Sequence, residues 1–321
     1  MSEILTIGEP LVCLASTEKD VSLDRVQYFA KYIGGAELNV ATGIKLLGHK
    51  VAYVGQVGDD PFGKFIQKEL EDKAIDTSYL FQRKRKWTGH QIKQLVSKGD
   101  PQVFNYRSDS ATTYFDEAVI DNISFERFTF AHLTGIFPAL SKNTKQTFEK
   151  LYDQLLDTDT FITFDTNLRP DLWSDLETMV QTINKYAYKA DIVLPGIDES
   201  KILVGSDDPE KISDHYLKNG RAQAVIVKVG AKGAFVKTRA GEQFFETGFK
   251  VDEVKDTVGA GDGFAVGVLT GLAENLPLRS AVKRGNVIGA MQVQVYGDNN
   301  GYPDQQKLMD FYSNRETSEI E

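Results

Sequence analysis

The chain has 321 residues, 41% of them hydrophobic and 26% charged, and a formal net charge of −9. It is long enough to bury its own core, and its acidity argues against a broad surface for nucleic acid or anionic membrane while allowing a local basic site. Cys13 is the one cysteine, which excludes an intrachain disulfide and a thiolate metal cage, suits a reducing cytoplasm, and reads as a small buried residue.

Ile4–Gly8 reads as a first buried strand stopped by a glycine. The opening MSEILTIGEPLVCL has no basic stretch ahead of an apolar one, so no signal peptide is expected, and no run approaches the ~18 apolar residues of a membrane span. Short extended pieces follow between Pro10 and Ile33. Ala36–Leu47 places Val40, Ala41, Ile44 and Leu47 at helical spacing, and Gly48 stands where a C-cap belongs. Val51–Val57 is the next strand, and Phe62, Phe65, Ile66 and Leu70 mark the helix after it. Thr88–Tyr106 carries two alternating strands, Gln91–Ser97 and Gln102–Tyr106, around a turn signal at Lys98–Pro101. Phe161–Phe164, Asp191–Leu194 and Ala224–Val227 are later strands with helical patterns between them. This rhythm predicts an α/β fold with a mostly parallel central sheet and helices on both faces. The segments at about 10–33 and 88–107 break the rhythm. They are expected to join as one small antiparallel β-unit, placed as a lid. The whole reads as a single domain over 1–314 with a polar, fraying tail at 315–321.

The segment with the most chemistry is Asp256-Thr257-Val258-Gly259-Ala260-Gly261-Asp262-Gly263-Phe264, which opens an apolar helical pattern with Val268 and Leu272. Glycines at a helix start let backbone N–H groups meet an anion closely, and the helix dipole adds partial positive charge. Such a hole suits a transferring phosphoryl group, and Asp262 in the first turn is placed to take the proton of an attacking hydroxyl. Taken alone, Gly-x-Gly-Asp is more often a glycine turn with a capping Asp.

The wider context resembles a family. Asp256–Phe264 is similar to the C-terminal signature of the ribokinase-like (PfkB) carbohydrate kinases. Gly34-Gly35-Ala36-Glu37-Leu38-Asn39-Val40-Ala41, with Val54-Gly55-Gln56-Val57-Gly58-Asp59-Asp60-Pro61-Phe62-Gly63 beyond it, resembles their N-terminal signature. The resemblance covers nearly the whole chain. It implies a ribokinase-like sheet with a β-lid, ATP and Mg²⁺ as cofactors, and a homo-oligomer joined through the lid; a requirement for a monovalent cation stays open. Gly34, Gly35, Ala36, Glu37, Leu38 and Asn39 would line the sugar pocket. Asp262 would be the base, and the Gly259, Ala260 and Gly261 amides the anion hole. Lys228, Gly230, Lys232 and Gly233 would form a nucleotide loop, the alternative being a simple β-turn. Asn286 would border the adenine pocket or act as a core helix Asn. Asn167 would contact nucleotide. Gly196-Ile197-Asp198-Glu199 departs from the family's Asn-x-x-Glu, and Glu199 would act on Mg²⁺ through water.

Glu37, Arg107 and Arg169 most resemble 2-keto-3-deoxygluconate kinases. Two guanidinium groups converging on one pocket suit a carboxylate, because the planar fork binds it bidentately. The other readings are that Arg107 pairs with Asp109 and that Arg169 serves nucleotide phosphate. Gln91 and Asn105 are expected beside the sugar, at positions where related acid-sugar kinases more often carry aromatics. His90 reads as a lid or surface histidine. A fructokinase or other neutral-sugar kinase is the alternative, and a non-catalytic sugar-binding regulator the remote one.

Overall fold

The computed structural model describes residues 3–97 and 101–316. In chain order the elements are β1 (Glu3–Ile7), β2 (Leu11–Lys19), β3 (Phe29–Gly34), α1 (Ala36–Leu46), β4 (Lys50–Gly58), α2 (Pro61–Asp72), β5 (Leu80–Arg83), β6 (His90–Leu95) and β7 (Val103–Tyr106). There follow β8 (Phe130–Thr134), α3 (Lys142–Leu156), β9 (Phe161–Asp165), α4 (Leu176–Ala187), β10 (Ile192–Val193), α5 (Ile197–Leu203), α6 (Pro209–Asn219) and β11 (Ala224–Lys228). The chain closes with β12 (Gly233–Thr238), β13 (Gln243–Thr247), α7 (Ala260–Ala273), α8 (Leu278–Gln292) and α9 (Gln305–Glu316).

Nine strands form one sheet in the order β13-β12-β11-β10-β9-β8-β1-β4-β5. β1 pairs in parallel with β4 and β8, and β12 and β13 add an antiparallel edge. Buried on both faces, the central strands read as continuous apolar runs. Two cores result. One joins Val40, Ile44, Val266 and Leu269 of α1 and α7 to one face; the other joins Phe148, Leu151, Ile183 and Ile212 of α3, α4 and α6 to the other. α2 starts where Asp60 accepts the Gly63 amide at 2.7 Å and Pro61 fills the first turn, a cap worth about 1 kcal/mol.

The second sheet has the order β3-β2-β6-β7. Its pairing corrects the expectation of an antiparallel unit: β2 runs antiparallel to β3 but parallel to β6, and β6 is antiparallel to β7. Both inner strands leave the core in the same direction, one from β1 and one from the loop after β5, so they meet in parallel. Asp60 roots this sheet on the core, its carboxylate taking the Thr88 amide at 2.7 Å and the Thr88 hydroxyl at 2.8 Å. Of the expected turn at Lys98–Pro101, only Pro101 is among the described residues. α9 continues to Glu316, into the segment expected as a tail from 315; residues 317–321 lie outside the described residues.

Candidate active site

The carboxyl ends of β1, β8, β9 and β11 and the amino ends of α1 and α7 meet under the small sheet, which is where an open α/β sheet presents its ligand crevice. A cavity of about 490 Å³ lies there, lined among others by Gly35, Ala36, Glu37, Asn39, Arg107, Asn167, Arg169, Glu199, Lys228 and Asp262. Gln91 and Asn105 close it from the lid.

Two glycines open the helices that face it. Gly35 has φ +112, and a side chain there would run into the Glu9 carbonyl. Gly259 has φ +79 and lies against the Asp298 carbonyl. Both positions accept only glycine without strain. Beyond Gly259 the chain enters α7 with Asp262 in its first turn. The Ala260 amide turns back toward the Thr257 carbonyl at a long 3.4 Å. The Gly261 and Asp262 amides are first-turn N–H groups, which at a helix start have no intrahelical acceptor; the Gly263 amide already donates to the Gly259 carbonyl at 2.8 Å. Lys228 approaches the same spot: a methyl on Gly261 would sit 3.9 Å from its ammonium.

Asp262 is oriented by a relay. Asn299 donates to the Asn39 amide oxygen at 2.8 Å, and Asn39 donates to Asp262 Oδ2 at 2.8 Å. Burial raises the Asp262 pKa above its ordinary value, opposed by the Asn39 hydrogen bond and by the positive charges of Arg169 and Lys228. A carboxylate whose pKa is lifted by burial and aimed by a hydrogen bond suits a general base.

Three ionisable side chains cluster beside it. Lys228 donates to Asp165 Oδ2 at 2.5 Å. Burial lifts the Asp165 carboxyl to about 6, with Lys228 pulling it down. Burial works to discharge Lys228, but Asp165 and Glu199 outweigh it and hold its pKa above the usual lysine value. Burial likewise opposes ionisation of Glu199, and Lys228, the Thr166 hydroxyl at 2.6 Å and the Gly196 and Leu168 amides at 2.8 Å overcome it, leaving a pKa below the ordinary one. Glycine at 196 therefore supplies its amide to Glu199, and Glu199 stays a buried anion at the cavity wall.

Arg107 pairs with Glu9, not with Asp109. Its Nε donates to Glu9 Oε2 at 2.7 Å, and Ser110 binds the other carboxylate oxygen at 3.0 Å. Asp109 takes Lys86 and Tyr114 instead. Glu9 takes Nε and one terminal nitrogen of the guanidinium, and Arg107 also lines the cavity. Arg169 lines the same cavity and is braced by the Leu168 carbonyl at 2.8 Å.

A second cavity of about 360 Å³ lies beyond α7, lined by Gly230, Gly233, Ala260, Phe264, Asn286 and neighbours. Lys228, Thr257 and Gly261 line both cavities, so the two open onto one junction at the amino end of α7. Asn286 ties its wall by donating to the Glu246 and Thr247 carbonyls at 3.0 and 3.2 Å. One cavity is therefore walled by charges and amides, the other by glycines and apolar groups, with a lysine and helix amides between them. This arrangement fits an acceptor hydroxyl on one side and a nucleotide base on the other, with phosphate at the junction.

Three sequence-predicted residues fall elsewhere. Leu38 is fully buried in the core, because it points from α1 away from the face that carries Glu37. Gly34 sits just behind the wall, against Asp298. Lys232 is exposed on its turn and contributes its carbonyl to the Gly248 amide at 2.9 Å. Glu9, Asp165 and Asn299 were missed. Asp165 ends β9 and Glu9 lies two residues beyond the end of β1, both at the sheet's carboxyl edge, and that placement is the signal that could have found them.

Residues 1–305 match the profile described as pfkB family carbohydrate kinase. The chain is 42% identical over 316 residues to a 2-dehydro-3-deoxygluconokinase of Bacillus subtilis (strain 168), covering 98% of this chain and 97% of that one. Its structure is similar to that of a PfkB protein from Polaromonas sp. JS666, with a TM-score of 0.87 and 36% identity over 96% of this chain and 99% of the other. It is also similar to a sugar kinase from Pyrococcus horikoshii in complex with ATP, with a TM-score of 0.80 and 26% identity over 96% and 97%. With a matching profile over nearly its whole length and the paired cavities that such a reaction needs, the chain belongs to the pfkB family of carbohydrate kinases.

Proposed function

We propose that this kinase transfers the γ-phosphoryl group of ATP to a hydroxyl of 2-keto-3-deoxygluconate (2-dehydro-3-deoxygluconate). The observation that carries the choice of sugar is that Arg107 and Arg169 line the same cavity as Asp262, which suits a sugar bearing a carboxylate. The name of the Bacillus subtilis relative supports it.

In this reading the sugar hydroxyl oxygen attacks the γ-phosphorus in line, the bond to the β,γ-bridging oxygen breaks, and the hydroxyl proton passes to Asp262. Lys228 and the α7 amides hold the charge that develops on the transferred oxygens. Asn39 keeps the receiving carboxylate aimed at the hydroxyl. The lid carries Gln91, Asn105 and Arg107 onto the sugar and excludes water, which limits idle hydrolysis of ATP. Mg²⁺, when bound, would neutralise phosphate charge. The ionised Glu199 carboxylate at the wall fits such an ion held through water. We assign the enzyme to the cytoplasm, where ATP is supplied and a free buried thiol such as Cys13 persists.

We also propose a homo-oligomer through the lid. Tyr28, Phe104 and Tyr106 are about half exposed or more on its strands and edges, and two copies covering each other would bury them.

One feature favours a neutral sugar such as fructose: Glu9 already balances the charge of Arg107. Asp262→Asn tests the chemistry common to both readings. Turnover should fall by ~10²-fold or more with folding and ATP binding kept, and near-normal turnover would refute the base.

A further inference from the structure

Lys93 is a buried charge that the chemistry above does not use. It stands on β6, an inner strand of the lid, and its side chain is 8% exposed. Its ammonium donates to Asp256 Oδ2 at 2.5 Å. Asp256 is itself buried, and its other oxygen accepts the Val258 amide at 3.1 Å. Val258 leads directly into Gly259 and the amides of α7. A lid strand is thus tied through one carboxylate to the segment that shapes the anion hole.

The opposite side of that segment is held by the core. Gln292 donates to the Val258 carbonyl at 3.1 Å, and the Tyr302 hydroxyl to the Gly259 carbonyl at 2.7 Å. The loop is therefore held from the core on one side and from the lid on the other. Lys93 also forms part of the sugar cavity wall, on the same sheet as Gln91, Asn105 and Arg107. The sheet covers the sugar cavity, and any outward movement of it would take the ammonium off Asp256. A buried ion pair contributes little net stability, because desolvation offsets its attraction, and its best-attested use is to fix one geometry.

We propose that Lys93 is a positioning residue that couples lid closure over the sugar to the shape of the anion hole, so that phosphoryl transfer is switched on by an occupied sugar site. The proposal rests on the reading of Gly259–Gly261 as the anion hole. It concerns neither the identity of the sugar nor the base.

The test uses the full chain with Lys93→Met, Asp256→Asn, the double variant and Lys93→Arg. For each, kcat and KM for sugar and ATP are measured, with sugar-independent ATP hydrolysis and Tm alongside. In Lys93→Met the ratio of sugar phosphorylation to idle hydrolysis is expected to fall at least ~10-fold through kcat, with KM for ATP changed less than about twofold. The double variant should lose no more than the worse single one, since both remove the same contact. Lys93→Arg, which keeps the charge, should hold the ratio within about threefold. A lower Tm with an unchanged coupling ratio, additive losses in the double variant, or equal losses for Arg and Met would each overturn the proposal. Failure of the kinase reading is distinguishable, because the wild-type chain would then release no sugar-dependent ADP, and that result overturns the coupling too.

Discussion

Replacing Glu37 by Gln should make the protein more stable than the wild type at alkaline pH and leave it nearly unchanged at acid pH. Glu37 is 1% exposed at the start of α1, where the Thr134 hydroxyl donates to one carboxyl oxygen and Gly8 lies against the other. Burial lifts its pKa from 4.5 to about 7; the Thr134 hydrogen bond pulls it down and the Asp262 charge pushes it up. In the unfolded chain this carboxyl ionises near its ordinary value. Between the two values the folded state holds a proton that the unfolded state has released, so stability falls as pH rises through that window and is fully present below it. The rise to about 7 corresponds to a loss on the order of 3 kcal/mol by pH 8, at about 1.4 kcal/mol per pH unit. Glutamine keeps the acceptor for Thr134 and stays neutral throughout. The difference in stability between Glu37→Gln and wild type should therefore grow from near zero at about pH 3 to about 3 kcal/mol at about pH 8. Urea unfolding at a series of pH values measures it. Asp165 and Asp298, lifted by burial to about 6 and about 7, act in the same sense. They are present in both proteins and cancel in the comparison. A difference that does not change with pH would refute the reasoning.

Arg107→Ala should raise KM for a sugar acid about 10- to 10²-fold while moving KM for a neutral sugar much less; equal effects would make Arg107 a structural partner of Glu9. Gly259→Ala forces a methyl against the Asp298 carbonyl at a left-handed backbone position. It should lower kcat by ~10-fold or more, and steady-state kinetics showing wild-type turnover would remove the anion hole from that loop. If Asp262 is the base proposed above, the acid limb of kcat/KM should lie above the ordinary Asp pKa of 3.8, because a base acts ionised and burial raises this pKa; a pH–rate profile with no such limb would contradict that role.

The main sheet was legible because buried parallel strands and amphipathic helices leave strong local patterns. β8 was not, since its short Phe-Ala-His-Leu-Thr run carries a histidine. His132 is tolerated there because burial lowers its pKa to about 3 and keeps it neutral. The lid's strands were visible but their pairing was not, because β2 and β6 are joined by register rather than by a turn. The site divides in the same way. Gly35, Asn39, Gly259 and Asp262 stand in contiguous motifs. The pairs Glu9–Arg107, Asp165–Lys228 and Lys93–Asp256 join residues 98, 63 and 163 positions apart, and nothing local in the chain announces them.

The most direct test of the account is the rate of ADP release from Mg-ATP with 2-keto-3-deoxygluconate, fructose, ribose and adenosine as acceptors. The account predicts a kcat/KM for the keto-deoxy acid at least ~10²-fold above fructose, about 2.7 kcal/mol of transition-state discrimination. A preference for fructose or ribose would contradict the carboxylate clamp and leave a neutral-sugar kinase in which Arg107 serves Glu9.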